Sequence, residues 1–152
     1  MANSPYTISA TLSPIGVLAN YDITYNTAAF TISKRLATWT TDNNSKTYGS
    51  SDPSPLTTGS ETNFMSADGV SATYERAAGE TVNTYHITAT LSSTVLNALD
   101  NYTITNAGAT FTINKKVASV TPDIAGKTYG DSDPTLTGIL AGFLTADGVT
   151  AS

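Results

Sequence analysis

Residues 84–92 read TYHITATLS, and the reading of that stretch decides the fold class. Tyr85, Ile87, Ala89 and Leu91 fall on one side of an extended chain, while Thr84, His86, Thr88 and Thr90 fall on the other. A period of two is the pattern of a strand with one face in a core and one in water. The same alternation places Ala109, Phe111 and Ile113 opposite Thr110 and Thr112, and Val70, Ala72 and Tyr74 opposite Ser71 and Thr73. Continued outward, it predicts seven strands near residues 36–41, 46–48, 56–61, 70–76, 82–91, 102–105 and 109–114. A tight turn at 77–80 joins the fourth strand to the fifth as a hairpin.

The stretch also occurs twice. PYTISATLS at 5–13 matches TYHITATLS, NYDITYNTAAFTISK at 20–34 matches NYTITNAGATFTINK at 101–115, and FMSADGVSA at 64–72 matches FLTADGVTA at 143–151. The most exact match is KTYGSSDP at 46–53 with KTYGDSDP at 127–134. The spacing is 79 residues from Ile8 to Ile87 and 81 from Phe30 to Phe111, the slips falling in loops that tolerate insertion. Only TYERAAGETVN, at 73–83, occurs once. The expected division is therefore a complete repeat at 36–116, preceded by the C-terminal half of a repeat at 1–35 and followed by the N-terminal half of another at 117–152. The alternative frame, two modules at 1–77 and 78–152, would cut through a hairpin. It is disfavoured because ISKRLAT and INKKVAS read as connections between modules.

These strands and turns point to an all-β fold of tandem, small immunoglobulin-like β-sandwich repeats of about eighty residues. A β-grasp-like arrangement, with a helical turn near 64–68, is the structural alternative. Composition narrows the function. Only 12% of the 152 residues are charged, and the net charge is -5 with seven scattered Lys and Arg, which argues against nucleic acid and anionic membrane surfaces. No apolar run is long enough to span a bilayer, so no membrane span is expected in this chain. The absence of Cys excludes disulfides and thiolate sites. The first residues lack the pattern of a secretory signal, so an exported parent would make this chain an excerpt of a longer protein.

Each candidate for chemistry has a plainer structural explanation. Tyr48-Gly49 and Tyr129-Gly130 are read as turns in which Gly takes a positive φ and Tyr packs beneath with its hydroxyl bonded locally. Asp52-Pro53 and Asp133-Pro134, with Asp131 or Asp42, could contribute oxygen ligands to calcium, but the spacing is that of turn starters. Ala67-Asp68-Gly69 and Ala146-Asp147-Gly148 are turn signals. His86 lies on a polar strand face without the companions of a triad or a zinc site. Glu75 and Glu80 could be the paired carboxylates of a glycosidase, but Arg76 beside them makes a surface ion pair the expected fate. The expectation is no catalytic residue, no cofactor and no metal, and not an enzyme.

Taken in order, KTYG.SDP, ADGV, ERAAGETVNTYHITATL and NYTITNAGATFTINK resemble the YGX type of the MBG (mostly-beta, glycine-containing) repeats, with the full pattern over 46–115. That resemblance implies long bacterial surface proteins, including adhesins similar to filamentous haemagglutinin, and hence an extracellular stalk. It carries no catalytic residues with it. Neighbouring copies of the repeat are the expected partners. The half-repeats suggest a homo-polymer built head to tail by strand or half-domain complementation. The competing expectation is a module that binds a host or surface glycan or protein through exposed Tyr and Thr.

Overall fold

The structure, a computed structural model, describes residues 4–151. Eleven strands occur among them: β1 (Tyr6–Ile8), β2 (Ala28–Phe30), β3 (Arg35–Thr41), β4 (Asn44–Thr47), β5 (Gly59–Thr62), β6 (Val70–Arg76), β7 (Asn83–Ser93), β8 (Tyr102–Thr105), β9 (Ala109–Asn114), β10 (Ser119–Pro122) and β11 (Gly138–Ala141). The rest is loop and four short 3-10 turns, so the protein is all-β. The seven strands from β3 to β9 overlap the seven expected, β4 starting two residues earlier and β5 three residues later than alternation placed them.

The strands form two compact units. The first contains Ser60–Ala72, Thr90–Asn106 and the chain up to Thr40. Within it lie the hairpin β1-β2 and the sheet ordered β5-β3-β8. Here β3 and β8 run parallel with Arg35 opposite Tyr102 and Ala37 opposite Ile104. Ala37, Trp39, Ala98 and Tyr102 are its buried apolar side chains. Phe64 stacks at a tilt on Tyr102, with ring centroids 4.9 Å apart.

The second unit contains Thr41–Gly59, Thr73–Ala89 and the chain from Ala107. It holds the hairpin β10-β11 and most of the sheet ordered β4-β9-β7-β6. Its core is Phe111, Ile87 and Ile113, walled by Tyr48, Leu56, Tyr74, Tyr85 and Ala109. The antiparallel pairing of β7 with β9 sets Tyr85 against Phe111 and Ile87 against Ala109, which puts every inward residue of both strands on one face. The exposed Thr84, His86 and Thr88 occupy the other face of β7. Strand β4 pairs parallel with β9, Lys46 opposite Ile113. Gly108, just before β9, has φ +71, and a Cβ there would lie 2.2 Å from the carbonyl oxygen of Ile87. The close approach of the two strands thus requires glycine at that position.

The flanking segments 1–35 and 117–152 copy pairings found within 36–116. In β1-β2, Tyr6 opposes Phe30 and Ile8 opposes Ala28, the register of Tyr85 with Phe111 and Ile87 with Ala109. In β10-β11, Asp123 donates its N–H to the carbonyl of Thr137 at 2.8 Å, and Thr137 donates its hydroxyl to Asp123 at 2.7 Å. Asp42 and Thr58 make the same two bonds at 2.9 and 2.6 Å.

Matched against the seven strands of 36–116, segments 1–35 and 117–152 would hold three and four strands, and among the described residues each holds two. Among the described residues no strand forms at 21–24, 125–128 or 149–151, the counterparts of β8, β4 and β6. The physical reason is partnership. In the complete repeat β8 pairs with β3, β4 with β9 and β6 with β7, and in each case the two partners come from opposite halves. A strand whose only partner lies in the other half has no ladder to join.

The helical turn foreseen near 64–68 is present as the 3-10 turn Ser66–Asp68. Gly69 ends it in the left-handed conformation, and Gly148 ends the equivalent turn Thr145–Asp147 in the same way.

Candidate functional site

The densest polar arrangement lies on the second unit, around the first copy of the repeated phrase. Lys46 alternates inward on β4, and its side chain is almost entirely buried. An ammonium taken out of water needs counter-charges. It has two, Asp52 at 2.7 Å and Glu80. Arg76, at the end of β6, is buried nearly as deeply and clasps Asp52 with both arms of its fork, Nε to Oδ2 at 2.7 Å and Nη2 to Oδ1 at 3.0 Å. It also donates to Glu80 and to the carbonyls of Ala77 and Gly79, fastening the β6-β7 turn. Its guanidinium lies 5.1 Å from the Phe111 ring centroid and 5.4 Å from that of Tyr85. Polar clasp and apolar core therefore share one residue.

The charges tune each other. Hydrogen bonds from Arg76 hold the Asp52 carboxyl at about 2 against an ordinary 3.8. The Lys46 bond lowers Glu80, and the Asp52 bond raises Lys46. Asp52 is depressed in the folded state, so its stabilisation is complete above about 3.8 and is lost as pH falls through about 2. Urea midpoints measured from pH 5 down to about pH 2 should therefore decline on this limb, and Asp52→Asn should start lower at pH 5 and decline less.

The same phrase in the second copy makes a weaker structure. Lys127 pairs with Asp133, but both are exposed, and Lys127 also reaches the carbonyl of Asp131 at 3.3 Å. The difference lies in the once-occurring segment, which supplies Arg76 and Glu80 to the first copy.

The candidates from sequence separate accordingly. Glu80 enters the ion-pair network, whereas Glu75 is exposed on the face of β6 opposite Arg76. Both oxygens of Asp52 are taken by cations, and Asp42 accepts from Thr58. His86 is exposed on β7 beside Gly108. Gly49 and Gly130 have φ +81 and +97, as expected of the Tyr-Gly turns.

The tyrosines of those turns depart from expectation. Tyr48 packs on the core, but its hydroxyl donates to Asp147, 99 positions away, at 2.8 Å instead of bonding locally. That bond raises its pKa. Tyr129 has no cover at all, with its full surface exposed. The equivalent aspartate of the complete repeat, Asp68, accepts instead from Tyr102, whose hydroxyl also accepts the Met65 N–H at 3.0 Å.

Sequence reasoning expected an ion pair between Arg76 and its neighbouring glutamates, which Glu80 makes, but missed Lys46 and Asp52 as the other members of the network. A signal was present: in a chain this poor in charge, a repeated Lys and Asp six apart and an Arg and Glu four apart are conspicuous.

The family model described as MBG domain (YGX type) matches residues 37–112, half of the chain. No curated protein and no solved structure matches.

Proposed function

Since the chain belongs to the MBG domain (YGX type) family, a repeat family typical of surface proteins and not an enzyme family, we propose that it is part of an extracellular stalk of a bacterial adhesin. In this reading the module is the stretch 36–116, a small repeat of immunoglobulin-like kind. The segments 1–35 and 117–152 are halves of neighbouring modules that join head to tail with the complementary halves of further copies.

One observation carries the reading. Equivalent residues are buried in the complete repeat and bare in the halves: Phe111 is 0% exposed and Phe30 55%, Ile87 0% and Ile8 51%, Ile113 1% and Ile32 43%. An apolar side chain of this size gains about 1.5–3 kcal/mol on full burial. Bare strand edges with apolar faces also invite pairing with another chain. The unformed strands supply the fit. Residues 125–128 of one copy would lie parallel to β2 of the next, as β4 lies on β9, and 117–119 would lie on 22–24, as β3 lies on β8. Such a contact is heterologous and does not close, so it builds a fibre.

The same comparison disfavours a glycan platform. Tyr6, Tyr21 and Tyr129 are exposed, yet their equivalents Tyr85, Tyr102 and Tyr48 are covered in the complete repeat. In this reading a complementary half covers them. Sedimentation of the chain from micromolar to millimolar concentration tests the reading. Mass rising steadily past the dimer is expected, and a monomer throughout removes the assembly.

A further inference from the structure

We propose that the Tyr-Gly turn of each repeat is a socket for the Phe-x-x-Ala-Asp-Gly segment of the repeat that follows, and that the open turn at Tyr129-Gly130 receives residues Met65 and Asp68 of a second copy. The inference rests on the reading that further copies complete the halves, and it names a contact that strand pairing alone does not supply.

The socket is already filled once within the second unit. Tyr48 donates its hydroxyl to Asp147 Oδ1, and Leu144 lies so close to Gly49 that a Cβ there would be 2.5 Å from its Cδ1. The two motifs that occur most faithfully twice, KTYG and ADGV, thus meet each other. Their other copies are the unfilled counterparts. Nothing lies within 4 Å of the position a Cβ would take on Gly130, and Tyr129 is bare. On the receiving side, Met65 stands where Leu144 stands and is exposed, and Asp68 stands where Asp147 stands.

The carboxylate chemistry fits a shared acceptor. Tyr102 donates to one oxygen of Asp68, as Tyr48 donates to one oxygen of Asp147. A carboxylate has lone pairs for both kinds of donor. In a run of repeats each aspartate would accept one tyrosine from its own module and one from the module before it. Met65 is unbranched and adaptable, suited to the slot that Leu144 fills against glycine. Gly130 keeps the slot open.

The chain contains two Met, so a methyl-labelled sample gives a simple spectrum, and Met65→Leu assigns the Met65 signal. The full chain would be followed by methyl NMR and by sedimentation over the same concentration series, beside Tyr129→Ala. That residue is fully exposed, so its replacement leaves the fold intact. The expected result is association accompanied by a shift of the Met65 methyl, with Tyr129→Ala about tenfold weaker in association and its Met65 signal unmoved. Association with a stationary Met65 signal and no effect of Tyr129→Ala would overturn the socket and leave half-repeat joining in place. A Met65 shift abolished by Tyr129→Ala, with growth stopping at a dimer, would keep the socket and remove the fibre. A monomer at every concentration with Met65 unmoved overturns both.

Discussion

Phe111→Ala is expected to cost about 3–5 kcal/mol, a large fraction of the stability of a small domain. Phe111 is the largest of the three fully buried side chains, in contact with Ile87 and Ile113 and with Arg76 over its ring. It sits on β9, which lies between β4 and β7 in its sheet, so the void would open where the two pairings meet. Relaxation into that void is hindered on one side by the backbone approach at Gly108. The counterpart change Phe30→Ala, on a residue more than half exposed, should shift the urea midpoint of a dilute sample by far less. A similar cost at both positions would mean that the halves share the core, contrary to the burial seen here.

Arg76→Ala should cost about 3 kcal/mol, and Arg76→Lys should recover only part of it. The loss has several sources. Asp52 would keep Lys46 but lose both bonds of the fork, the carbonyls of Ala77 and Gly79 would lose their donor, and the face of Phe111 would lose its cover. A lysine restores charge but neither the paired geometry nor the stacking. Glu80 is well exposed, so solvent softens its share of the loss, and the main deficit belongs to Asp52 and the turn. Urea melts of the three proteins at neutral pH check this. Equal stability of the lysine variant and the parent would show that charge alone, without the fork, holds the β6-β7 turn.

Much of the fold was legible because the alternation is regular. In β7 the inward Tyr85, Ile87, Ala89 and Leu91 and the outward threonines could be assigned by counting in twos, and β9 followed in the same way. The parallel pairings of β3 with β8 and of β4 with β9 were not legible. Period two says which face is buried and nothing about which strand lies alongside. The unformed strands were missed for a related reason: Lys127-Thr128 repeats the Lys46-Thr47 of β4, but strand formation in β4 depends on a partner some seventy residues further along. Pattern also could not bring Lys46 to Arg76 and Glu80, because those contacts exist only once β4 and the β6-β7 turn are in place. The bond from Tyr48 to Asp147 lay beyond reach for another reason. A local hydroxyl partner was expected, and the actual one belongs to the following half-repeat.

On the proposed reading an eighty-residue period closes a core and half of one does not. Amide hydrogen exchange on the full chain tests it most directly. In dilute solution the amides of Ile87, Phe111 and Ile113 should exchange only with global unfolding, while those of β1, β2, β10 and β11 exchange orders of magnitude faster and slow down as concentration rises. Equal protection of the halves and the complete repeat in a dilute, monomeric sample would contradict the account.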